Sequence, residues 1–237
     1  MYKINDVGYV PYNKNWSIYT EDKFDRLKYK FDGSDNIVNN YTQAFQDIFV
    51  LTMLNGKKNG NYLEIGTDNP VNISNTFLLE SVFNWKGLSI DISKNEDFEN
   101  IRKNSYLITD ALNIDYLELL NNYKFSSQID YLSLDIEPNY NTFGCLRKLP
   151  LDKFRFSVIT FEHDFYGGDP YNVREESRKY LTSFGYKLVA TNISNKGINY
   201  PFEDWYVDPN VISEDIYNLI LNTNEETKYC ENILLNE

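Results

Sequence analysis

The stretch NYLEIGTDNP, residues 61–70, has the pattern of a short buried strand that runs into a turn. One acid, Glu64, lies within the strand; Gly66 then opens the turn, and a second acid, Asp68, follows. A strand that ends in a glycine turn is typical of nucleotide-binding α/β proteins, in which the turn lies against the ligand. The composition of this turn therefore indicates which ligand it can hold.

The turn Gly66-Thr67-Asp68-Asn69-Pro70 does not match the phosphate-binding patterns. The dinucleotide fingerprint needs three glycines so that the backbone can approach a pyrophosphate, and only one is present. A P-loop is absent from the sequence as well. Asp68 would also repel a phosphate. The turn favours a ligand without phosphate that carries positive charge, and S-adenosylmethionine (SAM) meets both conditions through its ammonium and sulfonium groups.

Strand-like and helix-like segments alternate along the chain on both sides of this turn. The predicted strands are 62–65, 88–92, 106–110, 129–136, 156–163, 186–193 and 204–207, and the predicted helices are 42–54, 74–83, 95–104, 115–123, 141–148, 172–185 and 213–222. Such alternation predicts an α/β fold with a mostly parallel sheet and helices on both faces. We divide the chain into an irregular lead-in (1–38), a central domain (39–212) and a C-terminal helix and tail (213–237).

Acids stand at or just after the carboxyl ends of five predicted strands: Glu64, Asp91, Asp110, Asp135 and Glu162. Ligands of parallel sheets bind beyond this edge, near the point where the strand order reverses. We expect Asp91 to accept hydrogen bonds from the ribose hydroxyls, because a carboxylate has two acceptor oxygens. The alternative is that these acids only cap the helices that follow.

The remaining cofactor contacts are predicted from the same edge. Asp110 and Ala111 would read the adenine amino group, and Asp135 would lie beside the reacting methyl group. Glu64 and Asp68 would face the positive end of the cofactor. The predicted cofactor site is completed by two residues of the turn and the residue after Asp91: Gly66, Thr67 and Ile92.

Composition and charge limit the class of protein. The net charge of −12 predicts repulsion of phosphate backbones, so nucleic acid is excluded as a substrate or partner on this ground. No apolar run is long enough for a membrane span, and residues 1–10 do not resemble a signal peptide, so a cytoplasmic protein is predicted. Cys145 and Cys230 read as reduced thiols, and a single histidine excludes a multi-histidine metal site.

Several segments together resemble the FkbM-like branch of class I SAM-dependent methyltransferases. These are QAFQD (43–47), YLEIGTDNPVNISNTFLLE (62–80), FNWKGLSIDI (83–92), DYLSLDI (130–136), FSVITFEHD (156–164) and PFEDWYVDP (201–209). The resemblance spans roughly residues 40–210. It departs at Thr67, where many members have alanine, and at Ser133 and Leu134, near which many members have lysine.

This resemblance implies a Rossmann-like class I methyltransferase fold, with a seven-stranded sheet whose last strand is antiparallel. It also implies O-methylation of hydroxyl groups on sugars, glycans or natural products. The helix before the first strand shapes the cofactor pocket in this family, which makes Gln46 a further candidate for the cofactor site. The alternative is that Gln46 only caps a neighbouring loop.

Methylation of a sugar hydroxyl needs a base or a metal, because the protonated hydroxyl is a poor nucleophile. His163 is the candidate base, since its unperturbed pKa lies near ~6.5, and Asp135 and Glu162 are further catalytic candidates. The alternative for His163 is a surface or capping role. Strand alternation places Glu162 and Asp164 on one side and His163 on the other, unless the chain turns first.

A metal site is the second way to activate the hydroxyl. Asp135, Glu162 and Asp164 supply oxygen ligands from two adjacent strand ends, as Mg²⁺ or Mn²⁺ requires. The alternative is that these acids hold helix N-termini or each other. Other functions also stay open: methylation of a small non-sugar acceptor, or a degenerate methyltransferase fold that only binds a partner.

Overall fold

A computed structural model describes residues 26–37, 39–198 and 200–236, so most of the predicted lead-in lies outside the described residues. Eight strands form one sheet: β1 (Asn61–Ile65), β2 (Lys86–Asp91), β3 (Ser105–Ile108), β4 (Gln128–Leu134), β5 (Arg155–Glu162), β6 (Lys187–Ser194), β7 (Glu203–Val207) and β8 (Lys228–Tyr229). Eight α-helices accompany it within these residues: α1 (Gln46–Met53), α2 (Phe77–Ser81), α3 (Phe98–Ile101), α4 (Tyr116–Asn122), α5 (Asn139–Leu146), α6 (Val173–Ser183), α7 (Glu214–Tyr217) and α8 (Cys230–Leu234).

The sheet has the strand order β3-β2-β1-β4-β5-β7-β6-β8. All neighbouring pairs are parallel except those that β7 makes with β5 and β6. The predicted mostly parallel sheet with a late antiparallel strand is therefore confirmed. The eighth strand was not predicted, because it pairs with β6 at only two positions, Lys228 and Tyr229, and has no strand-like run of its own.

Both faces of the sheet are buried, and each face belongs to a separate apolar cluster. Tyr62 of β1 packs in one cluster with α1 and α2, whereas its neighbour Leu63 packs in the other with α4, α5 and α6. Side chains of a strand alternate between faces, so continuous apolar strands are expected when helices cover both. The prediction of helices on both faces is confirmed.

The C-terminal segment forms two short helices and a strand in place of the predicted single helix and tail. The predicted helix 213–222 is reduced to Glu214–Tyr217, and the chain returns to form β8 and α8. Leu235 pairs with Leu27 in an antiparallel bridge, and both side chains are buried in the cluster around α1. Among the described residues, no helix is long and apolar enough to cross a membrane.

The order of strands reverses between β1 and β4, and the two strand ends meet there. Asp135 N donates to Ile65 O over 3.0 Å, which places the residue after β4 beside the turn after β1. Gly66 has φ +88°, and a Cβ at this position would lie 1.5 Å from the carbonyl oxygen of Asp135. Only glycine allows the two backbones to approach this closely. This contact forms the floor of the site described below.

Candidate functional site

A cleft of about 530 Å³ opens at the carboxyl ends of β1, β2, β4 and β5. Its volume lies within the usual range for small-molecule sites, and its position follows the rule for ligands of parallel sheets. Its walls consist of Gln43, Gly66, Thr67, Asp68, Ile73, Ile90, Asp91, Ile92, Asp110, Ala111, Leu112, Asp135, Ile136, Glu137, Asn141, Glu162 and Tyr166. The cleft thus gathers most of the residues predicted for the cofactor.

The lining of the cleft is acidic. Six carboxyl side chains line it (Asp68, Asp91, Asp110, Asp135, Glu137 and Glu162), and no lysine, arginine or histidine among residues 26–37, 39–198 and 200–236 does. The turn after β1 brings two of these acids together, because the Asp68 amide donates to Asp91 Oδ2 over 3.0 Å. A site of this composition attracts cations and repels phosphate.

Asp91 and Asp110 also bind the backbone of their own loops. Asp91 Oδ1 accepts from the amide of Ser93 over 2.7 Å, and Asp110 Oδ1 accepts from the amide of Leu112 over 2.9 Å. Asp110 is therefore the N-cap of the short 3-10 helix Ala111–Asn113, whereas Asp91 stabilises its loop and caps none of the described helices. These contacts do not remove the two acids from the cleft, since each carboxylate can accept further hydrogen bonds. Their roles toward a cofactor stay predictions.

The prediction for Glu64 is contradicted by the structure, since this residue does not line the cleft. Its side chain is 2% exposed, and Oε2 accepts hydrogen bonds from Thr67, Thr76 and Ser89 at 2.7–2.9 Å. These hydroxyls come from the turn, the loop before α2 and the paired strand β2. Glu64 therefore holds the turn in place from below.

Gln46 also lies outside the cleft, so the prediction of a direct cofactor contact is wrong for this residue. It is buried at the start of α1, where Oε1 accepts from the amide of Ala44 over 2.8 Å. Its Nε2 donates to Glu203 Oε2 over 3.3 Å and so joins α1 to β7.

Asp135 and Glu162 form a hydrogen-bonded pair of carboxyl groups in the cleft wall. Burial raises the pKa of Asp135 to about 7, although the hydrogen bond from Glu162 lowers it. Burial, and then the charge of Asp135, raise the pKa of Glu162 well above its ordinary value. Glu162 is therefore the protonated donor and Asp135 the acceptor that ionises near neutral pH.

The prediction that His163 is the catalytic base is contradicted by its position. Its side chain is 0% exposed and does not line the cleft. Nδ1 accepts from the amide of Phe165 over 3.2 Å, and Nε2 lies 3.5 Å from Asp204 Oδ1. Asp204 also binds Arg178, with 2.7 Å between Nε and Oδ2. Alternation along β5 places Glu162 in the cleft and turns His163 to the opposite face.

Asp204 anchors this buried network. Burial alone would raise the pKa of Asp204, yet His163 and Arg178 hold it well below its usual range. The carboxylate is thus ionised and paired, and His163 belongs to the structural support behind β5 and β7.

The metal-site prediction is contradicted as well. Within residues 26–37, 39–198 and 200–236, no group of three or more histidine, cysteine, aspartate or glutamate residues is arranged to hold a metal ion. Asp135 and Glu162 bind each other, and Asp164 binds the hydroxyl of Tyr166 instead. Asp164 has φ +45°, so the strand alternation ends at this residue and its carboxylate does not join the pair.

Several members of the cleft wall carry no signal in the sequence. Glu137 and Asn141 follow β4, and Gln43 precedes α1. No motif marks these residues. The predicted strand 129–136 extends two residues beyond the observed end of β4 at Leu134 and so reaches the residue before Glu137. Glu203 was missed as a buried acid, although its place opposite Glu162 in the β5–β7 ladder follows once β7 is recognised as antiparallel.

The free energy of unfolding should fall as pH rises from 5 to 8. Burial raises the pKa of Asp47 and of Asp135 to about 7, and that of Glu203 to about 8. The folded protein then binds more protons than the unfolded chain between pH ~4.5 and ~8, and stability decreases by up to about 1.4 kcal/mol per pH unit for each group. Urea titrations at pH 5 and pH 8 measure this difference.

Glu203→Gln is the matched control for this prediction. The amide keeps the size of the side chain and cannot ionise, so the pH dependence should become shallower and the variant should gain on the parent at pH 8. Stability that increases from pH 5 to pH 8 in the parent protein would contradict the prediction.

No protein-family model matches the chain, and no curated protein is similar to it in sequence. Three solved structures resemble part of the chain. Fibrillarin of Aeropyrum pernix with natively bound S-adenosyl-L-methionine has a TM-score of 0.44 and 12% identity, over 64% of this chain and 67% of that chain. An rRNA methylase of Streptococcus thermophilus has a TM-score of 0.44 and 13% identity, over 73% of this chain and 98% of that chain.

A third structure of Streptococcus thermophilus, described as a candidate hemolysin, has a TM-score of 0.46 and 13% identity, over 72% of this chain and 69% of that chain. The strand order, the antiparallel strand β7 and the cleft at the strand ends define a Rossmann-like α/β fold.

The exclusion of nucleic acid from the net charge is wrong. One of the solved structures that resemble this chain is an rRNA methylase. Net charge is a property of the whole chain and does not decide which molecule a single face can bind.

Proposed function

We propose that this protein is a SAM-dependent O-methyltransferase of the FkbM-like kind, which methylates a hydroxyl group of a sugar or glycan. The observation that carries the proposal is the cleft at the carboxyl ends of the parallel strands, which is lined by six carboxyl side chains and, in the part of the chain that the structure describes, by no cationic one. The sugar acceptor rests on the resemblance in sequence, and the fold is common to methyltransferases with different substrates.

The residues of the cleft suit SAM. Gly66 lies in close contact with the Asp135 backbone, so no side chain projects from the turn at this position into the space of the ligand. Because SAM carries no phosphate, the turn does not need the backbone donors of a phosphate-binding loop. Asp91 would accept the ribose hydroxyls, and Asp68, Asp135 and Glu137 would offset the ammonium and sulfonium charges. Ile92 is 71% exposed beside Asp91, and its apolar side chain can pack against the adenine ring of the cofactor.

SAM supplies an activated methyl group on a positive sulfur. The chain must position the acceptor and remove its proton. Asp135 is the group that accepts the proton of the acceptor hydroxyl, because its pKa of about 7 leaves much of it ionised at neutral pH. Glu162 donates a hydrogen bond to Asp135 and orients it.

The Asp91→Asn variant tests the cofactor site. We expect SAM affinity to fall by about 1–3 kcal/mol, because the charge-assisted hydrogen bonds to the ribose are lost while the side chain keeps its volume. Isothermal calorimetry with SAM and with S-adenosylhomocysteine measures the change, and NAD serves as the ligand that should not bind.

Asp115→Asn is the matched control. Asp115 caps α4 by accepting from the amide of Glu118 over 3.0 Å and does not line the cleft. Its loss should cost some stability and leave the affinity for SAM unchanged. A parent protein that binds neither SAM nor S-adenosylhomocysteine would refute the proposed function, and unchanged affinity in a folded Asp91→Asn variant would refute the ribose contact.

The acceptor is tested by turnover. Neutral methyl glycosides of glucose, galactose, mannose and rhamnose are supplied with SAM, and catechol represents non-sugar acceptors. Formation of S-adenosylhomocysteine with a glycoside supports the sugar acceptor, whereas formation with catechol alone replaces it by a small aromatic acceptor.

A further inference from the structure

Two tyrosines from different loops meet at the rim of the cleft. Tyr166, in the turn after β5, lines the cleft and is 46% exposed. Its ring contacts that of Tyr200, with centroids 4.0 Å apart and an angle of 32° between the planes. Tyr200 belongs to the connection between β6 and β7. We refer to these two residues as the tyrosine pair.

The tyrosine pair is held in place by contacts on both sides. The hydroxyl of Tyr166 binds the carboxylate of Asp164. The amide of Asp164 donates to Phe202 O over 3.1 Å, which joins the turn to the segment that carries Tyr200. Asn139 Nδ2 donates to His163 O over 2.9 Å and fixes the same turn to α5. An aromatic surface fixed in this way can bind a ring without further loss of side-chain entropy.

Polar acceptors lie around the same cleft. Glu137 and Asn141 line it on the side of α5, and the carboxyl pair Asp135–Glu162 lines it as well. Glu162 lies close enough to Tyr166 to contribute to the raised pKa of its hydroxyl group. The cleft thus combines one aromatic surface with several hydrogen-bonding side chains. A sugar ring has the matching chemistry, since its C–H face is apolar and its hydroxyl groups at the edge donate hydrogen bonds.

A flat aromatic acceptor fits this lining less well. It would stack on a tyrosine but would make fewer hydrogen bonds to the polar side chains at its edge than the hydroxyl groups of a sugar. Burial, and then the charges of Asp164 and Glu162, raise the pKa of Tyr166 above its ordinary value, so its hydroxyl stays protonated.

We propose that the tyrosine pair, Tyr166 and Tyr200, is the acceptor subsite, on which the apolar face of a sugar ring packs while its hydroxyl edge is turned toward Asp135, Glu137 and Asn141. This inference rests on the proposed function and assigns its acceptor to particular residues. Tyr166 determines specificity for a ring with an apolar face.

The test measures glycoside binding directly. Saturation-transfer NMR is recorded with the four methyl glycosides on the protein that holds S-adenosylhomocysteine. We expect transfer to the ring protons in the parent protein, and a loss of about tenfold or more in glycoside affinity in Tyr166→Ala and Tyr200→Ala. Tyr166→Phe should keep most of the affinity, because the ring remains. Calorimetry should show the same affinity for S-adenosylhomocysteine in all variants.

Tyr171→Ala is the matched control. Tyr171 belongs to the same connection, is 64% exposed, makes a ring contact with Tyr140, and does not line the cleft. It should bind glycosides like the parent. An equal loss in Tyr171→Ala would show that the effect arises from the loop and would overturn the proposal.

Other outcomes also decide the question. A parent protein that binds S-adenosylhomocysteine but none of the four glycosides, or one that binds only catechol, overturns the sugar subsite and leaves the cofactor site intact. Unchanged glycoside affinity in Tyr166→Ala has the same consequence. Failure to bind S-adenosylhomocysteine refutes the proposed function itself, so the two failures are distinguished.

Discussion

Gly66→Ala should lose about 3–5 kcal/mol of the free energy of unfolding and should no longer bind SAM. The alanine Cβ would lie 1.5 Å from the carbonyl oxygen of Asp135 and 2.6 Å from its carbonyl carbon. Both atoms belong to the backbone, so no side-chain rotation can relieve the overlap. The turn after β1 and the end of β4 must separate, and this movement disrupts the floor of the cleft. Urea unfolding and calorimetry with SAM measure the two effects.

Gly185→Ala isolates the part of this loss that comes from backbone conformation. Gly185 also has a positive φ, +81°, but a Cβ there would have no heavy atom within 4 Å. It should therefore cost only about 1 kcal/mol, the strain of a left-handed conformation, and leave SAM binding unchanged. Equal losses in the two variants would show that the contact with Asp135 does not constrain the fold.

The architecture of the sheet could be predicted from the sequence because each strand carries a local signal. Apolar runs such as 129–136 and 156–163 are buried on both faces and alternate with helical segments, which leaves few arrangements open. The same rule placed Asp91, Asp110, Asp135 and Glu162 at one edge, and all four line the cleft. Their side chains meet because parallel strands end together.

The predictions for Glu64, His163 and Asp164 are wrong because the direction of each side chain depends on backbone turns and contacts that a local sequence pattern does not show. Glu64 faces Ser89 of the neighbouring strand and three hydroxyl groups bind it, which no local pattern reveals. For His163, the alternation along β5 indicates the opposite face, and the presence of a histidine near the strand end does not by itself place its ring in the cleft. Asp164 left the predicted metal cluster because the chain turns at its positive φ.

The short β8 and α8 show a second limit. Residues 228–235 have weak local signals, and their burial depends on Leu27, which lies about 200 residues earlier in the chain. A sequence pattern can indicate that Ile233, Leu234 and Leu235 are apolar. It cannot indicate which surface they cover, because that surface is assembled only by the tertiary fold.

Asp135→Asn should reduce turnover by about 10²–10⁴-fold, the usual range for the loss of a general base, while SAM still binds. Glu162→Gln should reduce it far less, by about tenfold, because the amide can still donate a hydrogen bond to Asp135. In the parent protein the rate should fall as pH decreases below about 7, since Asp135 then becomes protonated and can no longer accept the hydroxyl proton. Turnover is measured as S-adenosylhomocysteine formation with the glycoside that serves as acceptor.

Glu203→Gln is the matched control for these two variants, because Glu203 is paired with Glu162 across β5 and β7, is also buried, and does not line the cleft. Its turnover should stay within about tenfold of the parent, and its rate should keep the inflection near pH 7. Near-parental turnover in Asp135→Asn together with an inactive Glu162→Gln would assign the proton transfer to Glu162 instead. Near-parental turnover in both variants would show that neither member of the pair is the base, because an amide cannot accept and release the hydroxyl proton at neutral pH.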